Sequence, residues 1–165
     1  MKIRKVKLDT RPQTDGIKNA LPKVDFADTF ATTNHQESLE VISNTVFGKI
    51  PKWISFLMKI RNGIVKIFGL KTEVSADINR KFEVGAYISF FQILSIQQNE
   101  LILGEDDKHL NFRVSVYNSK EKEFNIKITT LVQYNNWFGK VYMTIVKPFH
   151  HIVVKTMVKQ AYKAN

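Results

Sequence analysis

The densest group of reactive side chains in this 165-residue sequence lies in the segment GEDDKHLNFR. It holds Asp106, Asp107, His109 and Arg113 between two runs of strand-forming residues. Paired carboxylates beside an imidazole can hold a proton near neutral pH, and a guanidinium can anchor an anion. These four residues are therefore candidates for catalysis. The alternative is a charged hairpin turn in which an aspartate accepts hydrogen bonds from backbone amides.

A second group is the adjacent pair His150 and His151, which follows Pro148 in the last apolar segment. With His109 and Asp106, one of the pair would complete a two-histidine, one-carboxylate metal site. Adjacent side chains on a helix point about 100° apart, so at most one of them can share a site with His109. Neither lies in an HExxH frame, and the chain has no cysteine. We therefore predict no metal site and no cofactor, and we expect a histidine to bond the carbonyl that Pro148 leaves without a donor.

Other chemistry-bearing motifs are missing from the sequence, and the charge is uneven. There is no nucleophile elbow, phosphate-binding loop or dinucleotide-binding glycine motif. The net charge is +10, with six basic and no acidic residues in 49–71 and five and none in 133–165. Such segments attract anionic membranes, nucleic acid or acidic ligands. Nucleic acid is disfavoured because the aromatic residues fall on apolar phases that predict burial.

Strand patterns dominate the middle of the chain. Residues 88–96, 100–104, 110–118 and 123–135 are rich in β-branched and aromatic residues and are separated by short polar turns. Their alternation predicts an antiparallel meander with one buried face. Residues 24–32 predict an earlier strand, and residues 38–47 a short helix.

Helical spacing returns at two places. A helix from Pro51 to Gly69 carries apolar residues on more than one side, with lysines between them. The C-terminal segment keeps one helical phase across Pro148, which predicts a single kinked helix. Its expected buried face is Phe138, Val141, Tyr142, Ile145, Phe149, Ile152, Val153, Thr156, Met157 and Gln160.

These elements together predict an α+β fold of order β-α-α-β-β-β-β-α, in which an antiparallel sheet wraps around the long C-terminal helix. Residues 1–22 are polar and are predicted to form a flexible tail, and residues 23–165 a single domain. The basic N-terminus lacks the apolar run of a signal peptide, and no stretch is apolar for long enough to span a bilayer. We therefore expect a soluble, cytoplasmic protein.

Four segments carry a family resemblance. They are DFADTFA, PKWISFLMKIRNGIVKIFGLK, LGEDDKHLNFRVSVY and TTLVQYNNWFGKVYMTIVKPFHHIVVKTM. Together they resemble the uncharacterised bacterial family called domain of unknown function 2867 (DUF2867). The element order is also similar to the helix-grip, START-like (SRPBCC) superfamily, which includes lipid carriers, hormone receptors, cyclases and hydrolases. Neither resemblance implies a particular reaction, because a fold does not fix a function.

Three functions are consistent with these patterns. The first is a binding module in which sheet and helix enclose a cavity for an apolar, lipid-like small molecule. Its expected lining is Phe90, Phe112, Tyr117, Tyr134, Tyr142, Ile145, Phe149 and His150. The second is an enzyme that uses Asp106, Asp107, His109 and Arg113 at the cavity mouth. The third is attachment to an anionic membrane surface through the helix at 51–68. The sequence leaves the oligomeric state open.

Overall fold

The computed structural model of the chain describes residues 4–52, 55, 56, 59, 62, 66 and 81–164. The strands in these residues are β1 (Val6–Leu8), β2 (Phe26–Thr32), β3 (Tyr87–Ile88), β4 (Phe91–Ile96), β5 (Glu100–Asp106), β6 (Leu110–Asn118) and β7 (Ile126–Tyr134). The helices are α1 (Asp15–Asn19), α2 (Leu39–Gly48) and α3 (Trp137–Gln160). The predicted α+β class is confirmed.

One antiparallel sheet contains all seven of these strands, in the order β1-β2-β7-β6-β5-β4-β3. Consecutive hairpins connect β3 to β7, as the short polar turns predict. The strand expected at 88–96 is interrupted, because Ser89 has a φ of 57° and separates β3 from β4. A left-handed residue of this kind cannot continue a strand.

One face of the sheet carries the main core. Val114 and Val116 of β6 point to this face together with Ile128 of β7, and the helix α2 packs over them through Ile42 and Val46. Period-two alternation places these strand residues on one side, and spacing of four places the α2 residues on one helix face. The C-terminal half of α3 completes this layer through Met157, Val158 and Ala161.

The opposite face of the sheet is covered by the N-terminal segment, which was predicted to be a flexible tail. β1 instead pairs with β2 at the edge of the sheet, and its Val6 is buried in the main core. Ile17 and Leu21 pack on Leu131 of β7. This prediction failed because the three apolar residues are too far apart in a polar stretch to produce a periodic signal.

The helix α3 runs through Pro148 without a break, which confirms the prediction of one long helix. Its predicted buried face is wrong in part, since Ile145, Phe149 and Ile152 are 64%, 54% and 58% exposed. A second stripe faces the sheet, and it includes the buried Gly139, Met143, Met157 and Val158. Both stripes have helical spacing, so periodicity alone could not choose between them.

The predicted helix from Pro51 to Gly69 falls mostly outside the described residues and stays a prediction. Within the part of the chain that the structure does describe, no helix has the length and apolar character needed to cross a bilayer.

Candidate functional site

A carboxylate and two imidazoles meet where β2 passes under α3. The Asp28 side chain is 5% exposed, and its Oδ1 and Oδ2 each lie 3.3 Å from His150 Nε2. His151 Nε2 lies 3.5 Å from Oδ2 of the same carboxylate. Phe26 and Phe30 each hold one imidazole edge-on, with ring centroids 5.7 Å apart in both pairs. We call Asp28, His150 and His151 the acid–imidazole site.

Simple periodicities explain this arrangement. Residues 26, 28 and 30 share one face of β2 because side chains alternate along a strand. Adjacent helix residues point about 100° apart, so His150 and His151 approach Asp28 from its two sides along the strand. His150 packs on Phe26, two positions before Asp28, and His151 packs on Phe30, two positions after it. The sequence did not predict that either histidine contacts Asp28. It predicted a bond from a histidine to the carbonyl near Pro148, and the structure shows the contacts with Asp28 instead.

The chemistry of the site follows from its burial. A carboxylate removed from water is stable only with hydrogen-bond or charged partners, and an imidazole supplies either according to its protonation. The site can therefore anchor a polar group at the edge of an apolar layer. A sequence signal for Asp28 did exist, because the strand FADTFAT places it between two inward-facing phenylalanines. An acidic residue on an apolar face is informative in itself.

A group of aromatic side chains borders this site between the sheet and the N-terminal half of α3. Buried Phe26, Val132 and Met143 form its centre. The partly buried residues around them are Leu110, Phe112, Tyr134 and Tyr142. We call these seven residues the aromatic cluster. Because Phe26 contacts both Met143 and His150, the cluster is continuous with the acid–imidazole site.

Tyr134 gives the aromatic cluster a polar group. Burial raises the pKa of its phenol, and the negative charge of Asp25 raises it further. The Asp25 carboxylate accepts a 2.8 Å hydrogen bond from the Tyr134 amide. A hydrogen bond from Lys23 lowers the pKa of Asp25, as does the bond from that amide. The phenol therefore stays protonated over the ordinary pH range and can donate a hydrogen bond.

The expected ligand-binding residues occupy three different places. Phe112, Tyr134 and Tyr142 lie together in the aromatic cluster, and His150 lies beside it. Phe90 packs on Phe91, whose ring meets that of Phe112 at 5.5 Å.

The other expected lining residues lie elsewhere. Tyr117 points to the opposite face of the sheet, in register with Glu100 and Lys127. Ile145 and Phe149 are on the outer side of α3 and are exposed. The eight residues therefore do not line one shared space, and ligand binding itself stays a prediction.

The acidic turn between β5 and β6 separates into two parts. Asp106 Oδ1 lies 2.7 Å from Nη1 of Arg113, and the Nε of that guanidinium donates to the carbonyl of Ala20 at 3.2 Å. The pair borders a shallow pocket of about 170 Å³ whose lining also includes Gln92, Leu94 and Glu105. Arg113 thereby fastens the N-terminal segment to the sheet.

Asp107 and His109 form the second part of the turn. Asp107 Oδ1 accepts a 3.2 Å hydrogen bond from the amide of His109. His109 Nδ1 lies 2.8 Å from the side-chain Nδ2 of Asn136, and the imidazole packs on Phe138 with ring centroids 4.6 Å apart. Asn136 is the N-cap of α3, so these contacts dock the turn onto the start of the helix. The four candidate catalytic residues thus form two separate contacts.

Among the described residues, no three His, Asp or Glu side chains are placed to hold a metal ion together. His109 and Asp106 in particular lie away from the acid–imidazole site, since each has partners in its own turn.

The fold and these contacts define an α+β protein in which a C-terminal helix covers an antiparallel sheet over a buried carboxylate and an aromatic cluster. The chain belongs to the family described as protein of unknown function (DUF2867), whose model matches residues 20–157. The matched range includes Asp28, His150, His151 and the whole aromatic cluster. No curated protein and no solved structure is found to match this chain.

Proposed function

We propose that the protein binds a small, largely apolar molecule between the sheet and the N-terminal half of α3. The observation that carries this proposal is the continuity of the aromatic cluster with the acid–imidazole site. Small-molecule sites typically combine aromatic and aliphatic walls with a few convergent polar groups. The aromatic rings would contact the apolar body of the ligand, and the acid–imidazole site would bind its polar end.

The burial of individual side chains supports this division of roles. Phe112, Tyr134 and Tyr142 are only partly buried, so a ligand can still remove apolar surface from water there. The neutral phenol of Tyr134 can donate to a ligand oxygen, while Asp28 can accept from a ligand N–H or O–H group.

The architecture supports a finer placement. The order of elements is similar to that of helix-grip, START-like (SRPBCC) proteins. The similar features are the pairing of β2 with β7, the consecutive hairpins and the long last helix. We include membership of that superfamily in the proposal, as an analogy of fold and not of site. A cytoplasmic location also belongs to the proposal, and the absence of cysteine is compatible with a reducing compartment.

The enzyme alternative finds less support in the geometry. Arg113 binds Asp106 and the carbonyl of Ala20 in the N-terminal segment. Asp107 and His109 hold the turn on α3. Each group therefore has a structural partner. An acid and a base that act on one substrate would have to share a reacting atom within hydrogen-bond reach.

A probe titration tests the proposed binding. Dansylamide has an apolar naphthalene body, a sulfonamide N–H donor and sulfonyl oxygen acceptors, and its fluorescence rises when it leaves water. We expect saturable binding to the full chain after removal of copurified lipid. Asp28→Asn and Tyr134→Phe should each weaken it by about tenfold, the effect of one lost hydrogen bond to a charged or buried group.

Tyr117→Phe is the matched control, because it removes the same hydroxyl from the opposite face of the sheet. Its dissociation constant should equal that of the unmodified protein. Binding that does not saturate, or that responds equally to Tyr117→Phe and Tyr134→Phe, would refute the proposed site.

A further inference from the structure

The outer side of α3 exposes large apolar side chains. Ile145, Phe149 and Ile152 are 64%, 54% and 58% exposed, and Trp137 at the start of the helix is 76% exposed. The first three follow one another at spacings of four and three, so they form one stripe along the helix. We call these three residues the outer ridge. A contiguous apolar surface of this kind marks an interaction site more often than scattered exposed residues do.

The charged side chains of α3 itself have one sign. Lys155 and Lys159 are exposed on the same helix, and the 24 residues of α3 include no Asp or Glu. A partner for this surface must accept the apolar side chains of the outer ridge and also neutralise these lysines. The partner must therefore combine an apolar region with negative charge.

We propose that the outer ridge docks α3 onto an anionic lipid bilayer. In such a complex the helix lies parallel to the membrane, with Ile145, Phe149 and Ile152 at the boundary between headgroups and acyl chains. The lysines extend to lipid phosphates and carboxylates, and Trp137 occupies the interfacial region where tryptophan is enriched. This inference does not depend on the proposed ligand site.

Other partners match the surface less well. A second copy of the chain would bring the same lysines against each other, which like-charge repulsion opposes. Single-stranded nucleic acid needs aromatic platforms for stacking, whereas two of the three ridge residues are isoleucine. A bilayer with acidic lipids satisfies both the apolar and the cationic part of the surface.

The fold permits this docking without rearrangement. The opposite side of α3 stays on the sheet through Met143, Met157 and Val158, so the outer ridge is presented on a fixed helix. At 1.5 Å per residue, α3 offers a line of contact about 36 Å long.

Vesicle sedimentation tests the docking with the full chain. Phosphatidylcholine vesicles with and without one-third phosphatidylserine are compared at about 0.1 M and about 1 M salt, where the Debye length falls from about 10 Å to about 3 Å. We expect binding to the phosphatidylserine vesicles at the lower salt and at least tenfold weaker binding in the other conditions. Lys155→Gln with Lys159→Gln should weaken it by about thirtyfold, given the attraction of each lysine to an anionic surface.

The outer ridge itself is tested by the triple variant Ile145→Ser, Phe149→Ser, Ile152→Ser, which changes exposed positions only. We expect it to lose sedimentation while it keeps the circular dichroism spectrum of the unmodified protein. Leu8→Ser, at a residue 59% exposed on β1, is the apolar control, and Lys120→Gln with Lys122→Gln is the charge control. Both controls should bind normally.

Two results would overturn this inference. One is an absence of sedimentation, or sedimentation that the triple variant leaves intact. The other is a dimer in light scattering that the triple variant abolishes, because the outer ridge would then serve a second copy of the chain.

Discussion

Asp28 brings a carboxylate into an apolar layer, and its two imidazole partners differ in their surroundings. The side chain of His150 is 18% exposed and that of His151 is 40% exposed, although both lie within 3.5 Å of the carboxylate. Water weakens the second contact more than the first. His150 should therefore contribute more of the stabilisation that offsets the burial of Asp28.

A double-mutant cycle measures that difference. Asp28→Asn combined with His150→Gln should show a coupling free energy of about 1–2 kcal/mol in urea unfolding, as contacting residues of one network do. The cycle with His151→Gln should give less than about 0.5 kcal/mol. Equal couplings in the two cycles would contradict the assignment of His150 as the main partner.

Gly139 shows how closely α3 approaches the acidic turn. A methyl group at this position would collide with the backbone carbonyl of His109. Backbone atoms cannot move aside as a flexible side chain can, so a larger residue must displace the helix or the turn.

Gly139→Ala should lower the free energy of unfolding by about 2 kcal/mol through this collision. Gly48→Ala is the matched control, because Gly48 also lies in a helix and has nothing within 4 Å of the added methyl group. Alanine there should be neutral or stabilising by up to about 1 kcal/mol, according to helix propensity. A similar loss in both variants would show that Gly139 has no special packing role.

At the scale of elements, charges connect β1 to the sheet beyond their backbone pairing. Asp9 Oδ2 lies 3.3 Å from the Lys7 amine and 3.6 Å from that of Lys127 in β7. Lys127 also bonds Glu121 at 2.8 Å. Burial alone would raise the pKa of Asp9, but the Thr10 amide and the two lysines outweigh it and lower that pKa.

This lowered pKa predicts the sign of a pH effect. A carboxylate whose folded-state pKa lies below 3.8 stabilises the fold above that pH, and the contribution is lost as the pH falls through the folded-state value. Asp9→Asn should therefore cost about 0.5–1 kcal/mol near pH 7 and less near pH 2. Urea unfolding at both pH values measures it, with exposed Glu123→Gln as the control. A cost of the same size in acid would contradict the ionic origin.

The sequence predicted elements better than it predicted contacts between them. The strand at 110–118 was placed at its observed bounds, since one buried face produces a clear alternation. The helix across Pro148 was found because its spacing continues on both sides of the proline. The face that α3 turns to the sheet was predicted correctly only in part, because two apolar stripes compete. The contact of His150 with Asp28 joins residues 122 positions apart, and no local pattern encodes such a pairing.

At the scale of the whole molecule, the N-terminal segment covers one side of the sheet while α2 and α3 cover the other. Thr14 caps α1 and also donates a 2.7 Å hydrogen bond to the buried carboxylate of Glu100, which accepts a second bond from Ser115 at 2.6 Å. Ile17 and Leu21 then shield Leu131. The sheet is therefore a central layer with cover on both faces, and its stability depends on both.

Deletion of residues 1–22 tests whether the N-terminal segment packs on the sheet or is a flexible tail. Loss of the buried Val6, Ile17 and Leu21 should lower the free energy of unfolding by about 5 kcal/mol, at 1.5–3 kcal/mol for each large side chain. The urea midpoint should fall accordingly. Ile17→Ser with Leu21→Ser should reproduce about two-thirds of the loss. A midpoint unchanged by the deletion would mean that the segment does not pack.

The central claim is that a small molecule binds between the sheet and α3, and native mass spectrometry of protein purified without denaturation tests it most directly. We predict a species heavier than the 19.1 kDa chain by one small molecule, which organic solvent releases. Asp28→Asn should reduce its abundance and Tyr117→Phe should not. Spectra that contain only the chain mass, even after incubation with lipid extract, would contradict the account.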